Sequence, residues 1–375
     1  MSNIFIPKVI RKLRLNHVVF GIIKHFNNEI VVASDEAITN SERLLDSKHP
    51  NMVISCLIEN TININPQFDL VLIIPSYNAI NYIESCLDSI INQQTEFSFQ
   101  VKVIDDGSTD GTWEFLQKYQ KHSNVVLIRK TNGGSGSALN EGLKVIDAKY
   151  VMFVDADDQL MPNAIQCLMS IAKEHQDVDI VEGQYEYFNS YRTITRSHGE
   201  YEISDDWTKL QGYQWLKIYK SYLFDGMGFP EKCWHQDTVG LMLRYSFSHK
   251  IIIMPDYIYR YRQNHKGISF SAKKSYKTLD SFYVTKKLLE DNIKLGRKLT
   301  LRDYDIFLNQ TAHNIYRIAW STEKDVIKAV FILSIDLKKR FFSNLNARSE
   351  KCKKIEEYME KGEFSRFLNY CKYIY

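Results

Sequence analysis

A chain of 375 residues with 44% hydrophobic and 25% charged residues has the balance of a globular protein and is too long for one small core. Its net charge of +3 supplies no global attraction to nucleic acid, and no apolar run approaches the length of a membrane span. The six cysteines (Cys56, Cys86, Cys167, Cys233, Cys352 and Cys371) are scattered without a C-x-x-C pair, which excludes a disulfide framework or a zinc ribbon and suits reduced thiols in the cytoplasm.

Residues 1–67 form a first region of mixed character, an N-terminal extension to which the sequence assigns no role. Its opening, "MSNIFIPKVIRKLRLNHVVFGIIKHF", is basic and amphipathic and lacks the continuous apolar centre and small-residue cleavage site of a secretion signal. "LVLIIP" (70–75) is then a continuous apolar run, expected of a strand covered on both faces. Residues 81–91 carry Ile83, Leu87 and Ile90 at helical spacing. "VKVI" (101–104) predicts the next strand, and Thr109 or Asp110 is placed to cap a helix bearing Trp113, Leu116 and Tyr119. "VVLIR" (125–129) follows as a strand, and residues 137–145 as a helix with Leu139, Leu143 and Ile146 as its stripe. "YVMFVD" (150–155) predicts a fourth strand, and residues 161–173 a helix opened by Pro162.

Strand and helix alternating over short connections imply parallel strands joined by right-handed crossovers, with ligands gathering at the strands' carboxyl ends. Four polar clusters fall at that edge: "PSYN", "DDGSTD", "NGGSGS" and "DADD". Asp155, Asp157 and Asp158 stand just past a strand, where three carboxylates repel one another unless a cation is present. Oxygen-only donors of this kind favour Mg²⁺ or Mn²⁺, which also bind phosphate oxygens. The plainer reading is a helix N-terminus decorated with acids. There is neither a P-loop nor a G-x-G-x-x-G after the first strand, so a P-loop NTPase and a dinucleotide fold are unsupported.

"VLIIPSYNAINYIESCLDSI", "VKVIDDGSTDGT", "NGGSGSALNEGL" and "YVMFVDADDQLMP", in this order and spacing, resemble the family-2 glycosyltransferases of the GT-A fold. The resemblance covers residues 69–270 and implies an α/β, Rossmann-like, mostly parallel sheet flanked by helices, within a catalytic domain set at 68–270. It implies that Tyr77 stacks on the uracil of a UDP-sugar, with Pro75 and Asn78 shaping that pocket. Asp105 and Asp106 would hydrogen-bond uracil or ribose, which would explain the polar turn after the second strand. Gly134 and Ser135 would lie by the nucleotide, as would Ala156. Asp157 would coordinate a Mn²⁺ or Mg²⁺ ion bridging the diphosphate, with Asp155 supporting the ion or the ribose.

A transferase also needs a base. "FPEKCWHQDTVGLMLR" (229–244) looks like the family's acceptor-side segment, and its carboxylate is Asp237; the preceding acid of the family is Gln236 here. Asp237 would deprotonate the incoming sugar hydroxyl, and direct attack would invert the anomeric carbon; its plainer reading is a helix cap. In "DYIYRYRQNHKGIS" (256–269), Arg262 or His265 would reach the diphosphate or metal, and Trp234 and His235 are acceptor-side candidates. The Q-x-x-R-W signature of processive synthases is absent from this stretch, which favours transfer of one sugar at a time.

From residue 271 onward the sequence reads as helical and basic, with 22 Lys and Arg against 13 Asp and Glu. That region is expected to serve the acceptor, a membrane surface or a partner subunit, the last including a second copy of the chain. The expected activity is transfer of one sugar from a UDP-sugar to a hydroxyl of a growing lipid-linked or protein-linked glycan, in the cytoplasm or at the inner face of the cell membrane. Two competitors remain at this point. A sugar nucleotidyltransferase would want a Gly-rich, Lys- or Arg-bearing loop after the first strand, which "PSYNAINY" is not. A non-catalytic GT-A-like binding partner would not need the acidic turn or Asp237.

Overall fold

The computed structural model describes residue 20 and residues 29–189, 193–195, 200–264 and 275–375. The chain forms two compact units, one of residues 54–265 and one of residues 1–53 with 266–375. Residues 54–67, grouped with the N-terminal extension by composition, fall in the first unit.

The first unit is built on a mixed sheet. Its strands are β1 (Phe68–Ser76), β2 (Phe99–Asp105), β3 (Val125–Arg129), β4 (Ala148–Phe153), β5 (Ile180–Phe188), β6 (Lys217–Lys220) and β7 (Ile251–Arg262). Their order across the sheet is β7-β5-β6-β4-β1-β2-β3, with Glu202–Ser204 pairing outside β7. β4, β1, β2 and β3 are parallel, and β6 runs antiparallel to both of its neighbours. Leu70 to Ile74 are buried, as a strand covered on both faces requires. Helix α1 (Ile83–Ile91) turns Ile83, Cys86, Leu87 and Ile90 into the core at helical spacing. α4 (Ala164–Glu174) does the same with Ile165, Leu168 and Met169.

Two predicted helices end early. α2 covers only Thr112–Leu116, opening after Gly111 in a left-handed conformation, and tightens into a 3-10 turn over Gln117–Lys121. α3 spans Ser135–Leu143, and Ile146 lies in a short strand paired with Ile62 rather than on the helix. At that ending the Lys102 ammonium reaches from β2 to the carbonyls of Gly142 (3.4 Å) and Val145.

Strand register brings the carboxyl ends into line. Ser76 is opposite Asp105, Asp105 is opposite Arg129, and Ile73 is opposite Phe153, so the residues after β1, β2 and β4 share one edge.

The second unit is helical: Asp35–Lys48, Asp280–Lys294, Leu301–Ile318, Lys324–Phe342, Glu350–Glu360 and Phe364–Tyr373. Thr300 and Asp303 close a reciprocal capping box, and Ser349 caps the next-to-last helix. Tyr304, Phe307 and Phe342 stack in its core. Several of its lysines stand in pairs within one turn of helix, including Lys353 with Glu350 (2.8 Å) and Lys354 and Lys361 with Glu357 (2.6 and 2.8 Å). No described helix is long and apolar enough to cross a membrane.

Candidate active site

The loops at this edge are fastened to one another before any ligand is considered. Asn78 takes a positive φ of 50°, donates its main-chain N–H to Ser108 Oγ (2.9 Å) and accepts from the Thr109 N–H through Oδ1 (2.8 Å). The N–H groups of Ala79 and Ile80 go to Thr112 Oγ1 (3.0 Å) and Asp110 Oδ2 (3.2 Å). Much of the polar equipment of "DDGSTDGT" therefore holds the loop after β1. Tyr77, at the tip of that loop, is 53% exposed, and Pro75 is half-buried beside it.

The two adjacent acids after β2 differ. Asp106 is buried and its carboxylate collects the N–H groups of Gly133 (2.9 Å) and Gly134 (2.7 Å) and the ammonium of Lys130 (3.0 Å). It shapes the glycine loop in front of α3, where Gly134 has a φ of 86° and Ser135 begins the helix. Asp105 is fully buried; Oδ2 accepts from the Ser108 N–H (3.2 Å) and faces Arg129 Nε at 3.4 Å. Its Oδ1 has no hydrogen-bond partner, and neither has Ser76 Oγ on the neighbouring strand. A buried polar atom left unmatched costs about 1–3 kcal/mol, so two at one strand edge mark a place where a polar ligand would be welcome.

The acidic turn follows β4. Asp158 is buried and accepts from the Tyr259 hydroxyl (2.9 Å) and the Arg262 main-chain N–H (2.7 Å). The same Tyr259 oxygen accepts the Asp155 N–H (3.1 Å). The Arg262 side chain donates through Nε to the Asp157 carbonyl (2.6 Å) and lies over the Phe188 ring (4.4 Å). Arg262 thus braces the acidic turn. Asp157 accepts from Asn264 Nδ2 (2.9 Å), and Ala156 is buried between the two acids. His265 lies outside the described residues.

Burial, then the charges of Asp157 and Asp237, push the Asp155 carboxyl up to about 7, against a hydrogen bond from Gln214 that holds it down. Burial and the Asp155 and Asp157 charges push Asp158 well above the carboxylate range. Asp237 is therefore close enough to Asp155 to act on it, although about eighty residues separate them in sequence.

The segment carrying Asp237 is seated on α3. Asn140 donates to the Phe229 carbonyl (2.9 Å) and to Glu231 Oε1 (2.8 Å), and accepts from the Phe229 N–H (2.8 Å). A Cβ on Gly136 would stand 2.3 Å from the Pro230 carbonyl oxygen, so only glycine admits this approach. Arg244 is fully buried, with its guanidinium over the rings of Phe224 (4.4 Å) and Phe229 (4.5 Å) and bonded to the Gly228 carbonyl. Trp234 and His235 are half-buried in the turn before Asp237, where His235 takes a φ of 66°, and Gln236 reaches Ser135 Oγ (3.2 Å).

Among the described residues no group of three or more His, Cys, Asp or Glu side chains is arranged to hold a metal ion. Asp155 and Asp157 fit a hard divalent cation as a partial set: two oxygen donors held close enough to repel, which a positive charge would relieve. Asp158 is committed to Tyr259 and Arg262 instead.

Four residues of this site carried no signal in the sequence. Gln214, Tyr259, Asn264 and Asn140 bond the acidic turn or the Asp237 segment from distant parts of the chain.

A parallel core with an acidic turn at its carboxyl edge, extended by an antiparallel strand, is the GT-A glycosyltransferase arrangement. Residues 71–233 match the family model described as glycosyl transferase family 2. Glycosyltransferase GlyA of Streptococcus pneumoniae serotype 4 is 30% identical over 212 residues, covering 52% of this chain and 30% of its own length. The poly(ribitol-phosphate) beta-glucosyltransferase of Bacillus spizizenii is 29% identical over 257 residues, covering 64% of this chain and 39% of its own. The chain thus spans well under half the length of both relatives. Among solved structures, residues 1–349 of TarS from S. aureus align with a TM-score of 0.50 at 20% identity, over 80% of this chain and 89% of that one, which shows a shared fold.

Proposed function

We propose that this chain is an inverting glycosyltransferase that moves one sugar from a UDP-sugar to a hydroxyl of a growing glycan. The observation that carries the reading is that Asp155, after β4, feels the charges of Asp157 and Asp237, on the sheet edge where Ser76 Oγ and Asp105 Oδ1 end the adjoining strands unmatched. Relatives support the substrate class: the B. spizizenii relative bears the name of a glucosyltransferase, and TarS was solved in complex with UDP-GlcNAc.

In this reading Tyr77 stacks on the base and Asp105 with Ser76 meets polar groups of the nucleoside. Asp155 and Asp157 would hold a Mn²⁺ or Mg²⁺ ion, which when bound would supply positive charge for the leaving diphosphate. Asp237 takes the proton of the acceptor hydroxyl as that oxygen attacks the anomeric carbon. One direct displacement, with base and leaving group on opposite faces, inverts that carbon. The acceptor is a lipid-linked or protein-linked glycan, met in the cytoplasm or at the inner face of the membrane.

The test is release of UDP from a panel of UDP-sugars with Mn²⁺, with Mg²⁺ and with EDTA. Turnover of at least one sugar nucleotide that EDTA abolishes is expected, and Asp157→Asn should abolish it too. Undiminished turnover in EDTA would remove the cation from the reading, and no turnover of any donor would remove the enzyme.

A further inference from the structure

One turn of the helical unit carries aliphatic side chains where polar ones would serve. It joins the helices Asp280–Lys294 and Leu301–Ile318. Ile293 is 55% exposed, Leu295 37% and Leu301 41%. Lys294 and Lys298 are interleaved with them and exposed as well.

The turn is closed, which brings these residues together. Arg297 donates to Asn292 Oδ1 (2.5 Å) at the end of one helix and to Asp303 Oδ1 (2.7 Å) at the start of the other. Gly296, with a φ of 69°, reverses the chain between them. The N–H groups of Leu295, Gly296 and Arg297 go to the carbonyls of Asp291 (3.0 Å), Ile293 (2.9 Å) and Asn292 (3.0 Å), and the Thr300 N–H goes to Asp303 Oδ2 (2.8 Å). A turn whose backbone donors are matched from within can leave water at little cost.

The surroundings are basic. Tyr304 stacks on Phe342 (5.1 Å), and Arg348 pairs with Asp305 (2.9 Å). The exposed Arg348, and the exposed Lys339 and Arg340 within one turn of Phe342, therefore stand at the same end of the unit. Acids of this end are committed: Asp291 to Lys294 (3.8 Å), Asp303 to Arg297 and Asp305 to Arg348. Helix Asp35–Lys48 runs antiparallel to Asp280–Lys294, with Glu42 at Lys286 (3.3 Å) and His49 at Asp280 (2.7 Å), so the exposed acids Asp35 and Glu36 also lie at this end. Glu350, exposed too, is held by Lys353 (2.8 Å).

We propose that this turn docks the protein on an anionic lipid surface, with Ile293, Leu295 and Leu301 entering between headgroups and Lys294 and Lys298 meeting lipid phosphates. Such a surface is apolar beneath and anionic above. Aliphatic residues gain burial there, while lysines extend their stems along the apolar layer and keep their ammonium groups at headgroup level. Lysine is depleted in the cores of protein–protein interfaces, which argues against a second copy of the chain or another protein as the occupant.

The inference goes beyond the glycosyl-transfer reading, and its test uses no turnover. The full chain is mixed with vesicles of phosphatidylcholine alone, or with about one third phosphatidylglycerol, and bound protein is separated by flotation. The variants are Ile293→Ser/Leu295→Ser/Leu301→Ser and Lys294→Gln/Lys298→Gln, with UDP affinity and melting temperature as controls. Wild type should float with the anionic vesicles and not the neutral ones, and less as salt is raised. Each variant should bind the anionic vesicles at least tenfold more weakly, with both controls close to wild type, since the exposed side chains replaced carry little stability. Should the triple variant fail to fold, Leu295→Ser alone, expected at least threefold weaker, takes its place. Wild type that floats with neither vesicle, or equally with both, overturns the proposal. So does either variant floating like wild type. A wild type that sediments as a dimer while the serine variant is a monomer assigns the face to a second copy and overturns the lipid assignment.

Discussion

Asn140 lies far from Asp237 in sequence, yet its replacement should loosen the segment that carries Asp237. The side chain is buried and makes three hydrogen bonds of 2.8–2.9 Å: two donated by Nδ2 to the Phe229 carbonyl and Glu231, one accepted by Oδ1 from the Phe229 N–H. Phe229 is itself fully buried, so in Asn140→Ala its N–H and carbonyl lose their partner with no water to replace it. At about 1–3 kcal/mol for each buried group left unmatched, the cost is roughly 3 kcal/mol. Because the loss is local, hydrogen exchange is the assay. About 3 kcal/mol corresponds to exchange on the order of 10² faster in peptides covering residues 228–237, while β1 and β2 keep their protection. Turnover should fall with UDP affinity nearly intact, since the nucleoside groups stand on other strands. Asn140→Asp should also be destabilising, because it sets a carboxylate oxygen against the Phe229 carbonyl and Glu231, and increasingly so as pH rises and the new acid ionises. Wild-type exchange across 228–237 in Asn140→Ala would refute the reasoning.

Three further outcomes are expected. In Asp237→Asn, turnover should fall by roughly 10²–10⁴, the usual contribution of a positioned base, with UDP affinity and melting temperature little changed; near-normal kcat would remove Asp237 from the chemistry. The Asp155 carboxyl, raised to about 7 by burial and then by Asp157 and Asp237, binds its proton more tightly folded than unfolded. Without metal, its contribution to stability is therefore full below the unfolded value of about 4 and is lost as pH rises toward about 7. Mn²⁺ should bind with proton release in that window, and Asp237→Asn should shift the window to lower pH; calorimetry in buffers of different ionisation enthalpy reads both, and proton release that does not vary with pH would contradict the assignment. Tyr77→Ala should weaken UDP binding by about 1–3 kcal/mol, one lost base-stacking contact, and an unchanged affinity would leave Tyr77 outside the nucleoside site.

The sequence by itself determined the strands and the edge. A short continuous apolar run such as Leu70–Ile74 reads as a strand buried on both faces, and a chain alternating such runs with amphipathic helices is expected to gather its polar turns at the strands' carboxyl ends. The acids of "DADD" were legible for a related reason, since carboxylates beside an apolar run need a purpose, whereas Asp237 was picked out by the resemblance of its segment. What only the tertiary structure decided is which partner each polar group meets. Two adjacent aspartates look alike in sequence, yet Asp106 is occupied by Lys130, Gly133 and Gly134 while Asp105 keeps an unmatched oxygen. Gln214, Tyr259 and Asn140 look like ordinary polar residues of a loop, a strand and a helix, and become part of the site only because folding carries them to Asp155, Asp158 and Phe229. Apolar patterning is periodic along the chain because burial depends on which face a residue occupies. Hydrogen bonding depends on distance and angle to one particular atom, and across long separations nothing in local sequence records that.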